Sequence, residues 1–135
     1  QCFERLNTAI FQRVASANGA VEQLLAGGLA YIDFARQYPI DFHLMFHFAP
    51  SASTQAENRQ TAMRALLFLV RGGIESGVFV TTETYNEDAI TLHCWATVHG
   101  IAILQTTVAR DEPGATVTTI ETILRKVIAG FTAAS

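Results

Sequence analysis

The sequence is poor in charge. Only 16% of its 135 residues are Asp, Glu, Lys or Arg, whereas an average soluble domain has about 25%. The nine basic residues are scattered and form no basic stripe of the kind that nucleic-acid binding requires. Because half of the residues are apolar, we expect the domain to bury surface beyond its own core, against a partner chain.

Cysteine and targeting signals are also scarce. Cys2 and Cys94 are too few and too far apart for a disulfide framework, which favours a cytoplasmic location. The first residues have neither a basic n-region nor an apolar h-region, so they predict no signal peptide. Phe3, Leu6 and Ile10 already have helical spacing, which predicts a piece of a longer protein that begins inside or just before a helix.

No stretch of the chain predicts a paired strand. Val78–Thr84 has the composition of a strand, but a single strand has no partner, so we expect a loop there. The other segments have helical periodicity. They predict one all-α domain over residues 1–135, with six helices at about 2–15, 20–37, 39–48, 54–76, 88–110 and 117–131.

Three helix starts are marked by capping residues. Thr54 with Glu57 and Thr118 with Glu121 have the spacing of a capping box. Asn86 precedes two acidic residues that suit the first turn of a helix. We therefore expect N-caps at Thr54, Asn86 and Thr118.

The fifth predicted helix has no charged side. Residues 89–109, which are 21 residues, contain no Asp, Glu, Lys or Arg. The run is long enough to cross a membrane, but its seven polar side chains leave no apolar face for lipid on a helix of about 3.6 residues per turn. Two opposite sides are expected, one with Leu92, Trp95, His99, Ala102 and Thr106, the other with Ile90, Thr97, Ile101, Leu104 and Val108.

A helix of this kind is expected to lie between the core and a second body. The last predicted helix has apolar residues three and four apart, the spacing of a helix–helix seam. Two such helices from each of two chains would form a four-helix interface in a twofold homodimer. A monomer with a central buried helix is the alternative. The predicted interface residues are Ile101, Leu104, Val108, Ile120, Leu124 and Val127.

The histidines and cysteines predict neither a metal site nor a catalytic set. His43 and His47 could share one helix face, but no further ligand stands out. Cys94 does not converge with His93 or His99 on a helix, and phosphate-loop and metalloprotease motifs are absent. We therefore predict no enzyme activity and no cofactor. An all-α protein that binds a metal or haem through His43 and His47 is the alternative function.

Two segments resemble a known family. WATVHG (Trp95–Gly100) resembles the Trp-…-His-Gly motif in the C-terminal regulatory domain of a subgroup of tetracycline-repressor (TetR) family regulators. YIDFARQYPIDFHLMF (Tyr31–Phe46) is similar to a segment of the same domains in which an aromatic residue, Phe-Ala and Pro precede Leu-Met-Phe. The order of the predicted helices is similar over essentially the whole chain.

The resemblance implies the ligand-sensing half of a bacterial one-component transcription regulator. In that family the last two helices form the dimer, and a small molecule enters among the middle helices. The family's N-terminal helix-turn-helix domain is absent from this sequence, so DNA binding is expected only of a longer protein. Release of DNA on ligand binding is the common outcome in the family, which implies a repressor.

The expected ligand is a small hydrophobic or aromatic molecule. Trp95 and His99 lie four residues apart on one helical face and could form a pocket wall with one polar handle. The alternative is a core Trp and a core His, each hydrogen-bonded to a nearby carbonyl. The predicted lining residues are Tyr31, Phe34, Phe42, Phe46, Met63, Leu67, Trp95 and His99.

Overall fold

The computed structural model describes residues 2–47, 51–107 and 116–134. Within these ranges it has six helices: α1 (Cys2–Val14), α2 (Ala20–Gln37), α3 (Pro39–His47), α4 (Ala52–Glu75), α5 (Glu87–Thr106) and α6 (Val117–Ala129). The all-α prediction and the six helices are confirmed. The predicted ends of the third and fifth helices, at residues 48 and 110, lie outside the described residues.

Two of the three predicted caps are wrong by a few residues. The Ser51 hydroxyl accepts the Thr54 backbone N–H at 3.1 Å, so α4 begins earlier than predicted. The cap of α6 is Thr116 rather than Thr118. Both stretches hold several adjacent hydroxyl residues, and the cap is the one whose extended backbone lets its oxygen reach the amide three residues on. The cap at Asn86 is confirmed.

The segment Val78–Thr84 is a loop, as predicted, and its partner is the end of the chain. Phe79 forms an isolated antiparallel bridge with Thr132. The Val80 N–H donates to the Phe131 carbonyl at 2.8 Å. These contacts tie the segment after α4 to the residues after α6, a pairing too distant in sequence to be predicted from composition.

The central helix of the bundle is α2, which contacts each of the other five helices. Two glycines in its middle allow this close packing. A Cβ on Gly28 would lie 3.2 Å from the Val98 side chain of α5 and 3.3 Å from the Leu124 side chain of α6. The buried residues of α2 are Leu24, Leu25, Gly27, Gly28, Ala30, Tyr31, Ile32, Phe34 and Ala35.

The described helices include none with the length and apolar character of a membrane span. For α5, which has the longest charge-free run, the polar side chains among its apolar ones account for this result.

Candidate functional site

Helix α5, which is uncharged after its acidic first turn, has three faces, so the predicted division into two sides is wrong. Ile90, expected opposite Ala102, is fully buried together with it, whereas Leu92, expected beside Trp95, is 54% exposed. The core face comprises Ile90, Thr91, Cys94, Val98, Ala102 and Gln105. A second face carries the partly buried Trp95 and His99, and a third, exposed face carries Leu92, His93, Ala96, Gly100 and Leu104.

Tyr31 connects α2 to the second face of α5. Its hydroxyl oxygen accepts the Trp95 Nε1–H at 3.0 Å and lies 2.7 Å from His99 Nδ1. The Tyr31 side chain is fully buried. Since the indole can only donate, the phenol proton is left for His99. The Tyr31 hydroxyl and His99 Nδ1 thus share one hydrogen bond, whose donor is set by the tautomer of His99.

Burial keeps both Tyr31 and Cys94 in their protonated forms. It raises the pKa of Tyr31 well above the ordinary value, and the hydrogen bond from Trp95 offsets part of this rise. Burial also raises the pKa of the Cys94 thiol to about 12. At neutral pH the phenol is a hydrogen-bond donor, and the thiol is not the thiolate that nucleophilic attack requires.

Two rings of α3 pack against His99 and complete an aromatic cluster. The Phe46 and His99 ring centroids are 4.6 Å apart, and the Phe42 and His99 centroids are 5.5 Å apart. Phe42 also meets Tyr31 edge-on at 5.7 Å. The two phenylalanines are four residues apart and therefore share one face of α3. We call Tyr31, Phe42, Phe46, Trp95 and His99 the aromatic cluster.

A cleft of about 240 Å³ opens against the aromatic cluster. We call it the α4–α5 cleft. Tyr31 and Phe42 are fully buried and support its wall from behind. Its lining residues are Met45, Phe46, Gln55, Asn58, Arg59, Trp95 and His99. The polar residues from α4 were missed by the sequence analysis, because polar side chains near a helix start are common.

Three predicted lining residues lie elsewhere. Met63 and Leu67 line a separate cleft of about 580 Å³, also between α4 and α5, together with Leu92. Phe34 packs against Tyr38 at 5.2 Å and lines a groove between α1 and α2. The structure therefore brings together five of the eight predicted residues at the α4–α5 cleft and its wall.

The predicted interface residues fall into different environments. Ile120 and Leu124 are each 4% exposed and belong to the chain's own core. Ile101 and Val127 are partly buried and pack against that core. Leu104 is 49% exposed, and Val108 lies outside the described residues. The apolar spacing on α6 thus results from its packing against α2 and α5 within the chain.

Among the residues that the structure describes, His43 lies beside a threonine hydroxyl and not within a group of metal ligands. Its Nε2 lies 3.4 Å from the Thr106 hydroxyl, and the His47 side chain lies outside what is described. Over residues 2–47, 51–107 and 116–134, no three His, Cys, Asp or Glu residues are grouped as a metal site would need.

The fold and the aromatic cluster define a small all-helical domain with a cleft between two of its middle helices. The chain belongs to the tetracyclin repressor-like C-terminal domain family, whose sequence profile matches residues 24–129. Domains of this family typically bind effectors and dimerise in regulators. This confirms the family that the Trp95–Gly100 and Tyr31–Phe46 segments predicted.

A solved structure supports the same fold. It is described as a protein with unknown function from Rhodococcus sp. RHA1, and it superposes with a TM-score of 0.80 at 26% sequence identity. The alignment covers 98% of this chain and 70% of that chain. No curated protein matches the sequence.

Trp95 and His99 of the Trp-His-Gly motif lie in a different environment from Gly100. Trp95 and His99 both hold the hydroxyl of Tyr31 and also line the α4–α5 cleft. Gly100 is exposed on the third face of α5, and a Cβ there would meet no described residue within 4 Å. The Trp–His pair therefore contributes to both the core and the cleft, and the glycine lies on a face that the described residues leave open.

Proposed function

We propose that this chain is the effector-binding and dimerisation domain of a bacterial, cytoplasmic TetR-family transcription regulator. The observation that carries this proposal is the cleft against Trp95 and His99, in which an aromatic wall faces convergent polar side chains of α4. Aromatic side chains that bind the ligand and polar groups that fix its orientation are features of small-molecule sites. The ligand we propose is small and hydrophobic or aromatic in its main part.

The geometry supports a route from the cleft to the rest of the domain. A ligand beside His99 would touch α3, α4 and α5 together, since each contributes lining residues. The hydrogen bond to Tyr31 continues from α5 to the central α2. Small shifts of these helices would alter the proposed dimer, and a coupling of roughly 1–3 kcal/mol suffices for a switch.

DNA binding is proposed for an N-terminal domain of a longer protein. Two such domains in a dimer must match half-sites about 34 Å apart. A ligand that changes the separation of the two domains would release the DNA, so we propose a repressor.

Ligand binding predicts thermal stabilisation. In a panel of small apolar and aromatic compounds, some are expected to raise the melting temperature. A ligand at 100 times its Kd adds about 2.7 kcal/mol, which corresponds to a rise of roughly 10 °C for a domain of this size. The measurement is scanning calorimetry with and without each compound.

Two variants test whether the stabilising compound binds in the α4–α5 cleft. Phe46→Ala removes a ring that lines the cleft and is expected to abolish the rise. Phe68→Ala removes a ring that is 65% exposed on α4 and is expected to preserve it. A rise that survives Phe46→Ala, or a broad panel without any stabilising compound, would contradict the proposed site.

The third face of α5 supports a homodimer. Leu92 and Leu104 are 54% and 49% exposed, and Ala96 and Gly100 lie between them, where small side chains allow another backbone to approach. On α6, which contacts α5, Ile123 is 42% exposed. A continuous uncharged face of this kind is typical of an interaction surface. The proposed interface thus uses Leu104, as predicted, but replaces Ile120 and Leu124 with exposed residues.

A charge at the centre of this face is expected to separate the dimer. Gly100→Glu puts two like charges near each other in a twofold assembly, which should cost roughly 2 kcal/mol or more, about a 30-fold weaker association. Because a Cβ at Gly100 has open space, the monomer itself should remain folded. Sedimentation velocity should show a shift from dimer toward the 14.7 kDa monomer.

Gly72→Glu is the matched control, since Gly72 is also an exposed helical glycine whose Cβ would meet nothing within 4 Å. It lies on α4 and should leave the dimer intact. A wild-type protein that sediments as a monomer at micromolar concentration, or equal dimerisation of both variants, would refute the interface.

A further inference from the structure

The side of the α4–α5 cleft that α4 forms is polar. Gln55, Asn58 and Arg59 are three and four residues apart on α4, so their side chains emerge on the same side of that helix. They face a wall formed by Phe46 and Trp95. A ligand in this cleft would therefore meet aromatic rings on one flank and hydrogen-bond donors on the other.

The charge of this rim is positive and uncompensated. None of the seven lining residues is Asp or Glu, and Arg59 forms no ion pair with any residue that the structure describes. Arg59 is exposed, so its guanidinium is free to turn toward a ligand. A guanidinium presents a planar fork of donors that matches a carboxylate in two parallel hydrogen bonds.

The other two clefts do not combine an unpaired arginine with an aromatic wall. In the groove between α1 and α2, Arg13 is already paired with Asp33, and Arg5 with Asp41 at 3.4 Å. The cleft with Met63 and Leu67 has both Arg64 and Asp88 among its described lining residues and no aromatic side chain. Among these, the cleft against the aromatic cluster is the one that combines an unpaired cation with aromatic walls.

The volume of the cleft limits the size of its ligand. About 240 Å³ lies below the roughly 300–1,000 Å³ of sites for drug-sized molecules. A molecule with a single ring or a short aliphatic chain fits this space.

We infer that the effector of the α4–α5 cleft is a small carboxylic acid with a single aromatic ring or a short apolar chain, and that Arg59 binds its carboxylate. The apolar part lies against Phe46 and Trp95, and the Asn58 amide donates a further hydrogen bond. This inference rests on the proposed function and specifies the ligand class for its site.

The test compares acids with their neutral amides, which have nearly the same shape. The probes are benzoate, phenylacetate, 3-phenylpropionate and hexanoate, each paired with its amide, and the measurement is isothermal titration calorimetry on the whole chain. At least one acid should bind about tenfold more tightly than its amide, as one charge-assisted bidentate contact provides. The affinity of that acid should fall as salt is raised.

Arg59→Gln should weaken binding of the acid about tenfold, which equals about 1.4 kcal/mol, and leave the amide unchanged. Arg64→Gln, also on α4 but lining the other cleft, should change neither affinity. Both positions are exposed, so each variant is expected to fold. The melting temperature without ligand verifies this.

Three results overturn the inference, and they are distinguishable. If neutral compounds bind as well as acids and Arg59→Gln has no effect, the effector site stands and the acidic class is wrong. If no compound of either kind binds and none in the broader panel stabilises the protein, the proposed function fails as well. Loss of acid binding in both arginine variants also contradicts the assignment of Arg59.

Discussion

Gly73→Ala is expected to destabilise the domain by about 2–3 kcal/mol, because it overpacks a tight contact in the core. A Cβ at Gly73 would lie 2.1 Å from Cδ2 and 2.3 Å from Cε2 of the Phe79 ring. The ring is 2% exposed and packs edge-on against Phe131 at 5.0 Å. The added methyl group therefore forces the ring out, together with the loop that pairs with the residues after α6.

Gly72→Ala, one residue earlier, should have the opposite sign. A Cβ there meets nothing within 4 Å, and alanine is favoured over glycine in a helix by roughly 1 kcal/mol. Urea unfolding followed by circular dichroism measures both free energies. Equal effects of the two alanines would show that Phe79 does not pack on Gly73 as described.

Phe42→Ala is expected to cost about 3–5 kcal/mol, the usual range for removing a buried phenylalanine. Phe42 is fully buried, and its ring contacts those of Tyr31, Phe46 and His99. The cavity would lie directly behind the wall of the α4–α5 cleft. We expect the variant to lose ligand binding as well as stability, because His99 would no longer be held between Tyr31 and α3.

Phe68→Ala provides the comparison for this second effect. The Phe68 ring is 65% exposed and meets Phe11 edge-on at 5.6 Å. Its removal should cost about 1 kcal/mol, the worth of an aromatic pair with little burial. Denaturant unfolding of the two variants should differ by at least about 2 kcal/mol. Similar losses at the two positions would contradict the placement of Phe42 in the cluster.

The helices could be predicted because their periodicity is local. Apolar spacing and proline and glycine positions predicted six helices, and the structure confirms them. The caps of α4 and α6 were misplaced because neighbouring hydroxyl residues compete for the same role, and local sequence does not decide between them.

The faces of α5 could not be predicted in full, because periodicity says which residues share a side and not what each side meets. Tyr31 is 64 residues from Trp95 and 68 from His99. No local sequence pattern predicts contacts between residues so far apart in the chain. Phe34 and Phe42 were both expected at the pocket because both are aromatic residues of the middle helices. The structure places only Phe42 there, because α3 packs its ring against His99. The family resemblance supplied the cleft's location among the middle helices, but not its rim at Arg59.

A ligand that binds in the α4–α5 cleft lies beside Trp95, so the fluorescence of this residue is the signal to measure. Trp95 is the one tryptophan of the chain, and its indole lines the cleft while it donates to Tyr31. A compound that raises the melting temperature should change the emission of Trp95 and saturate at the concentration given by calorimetry. A stabilising compound that leaves this emission unchanged would show that the ligand binds outside the α4–α5 cleft.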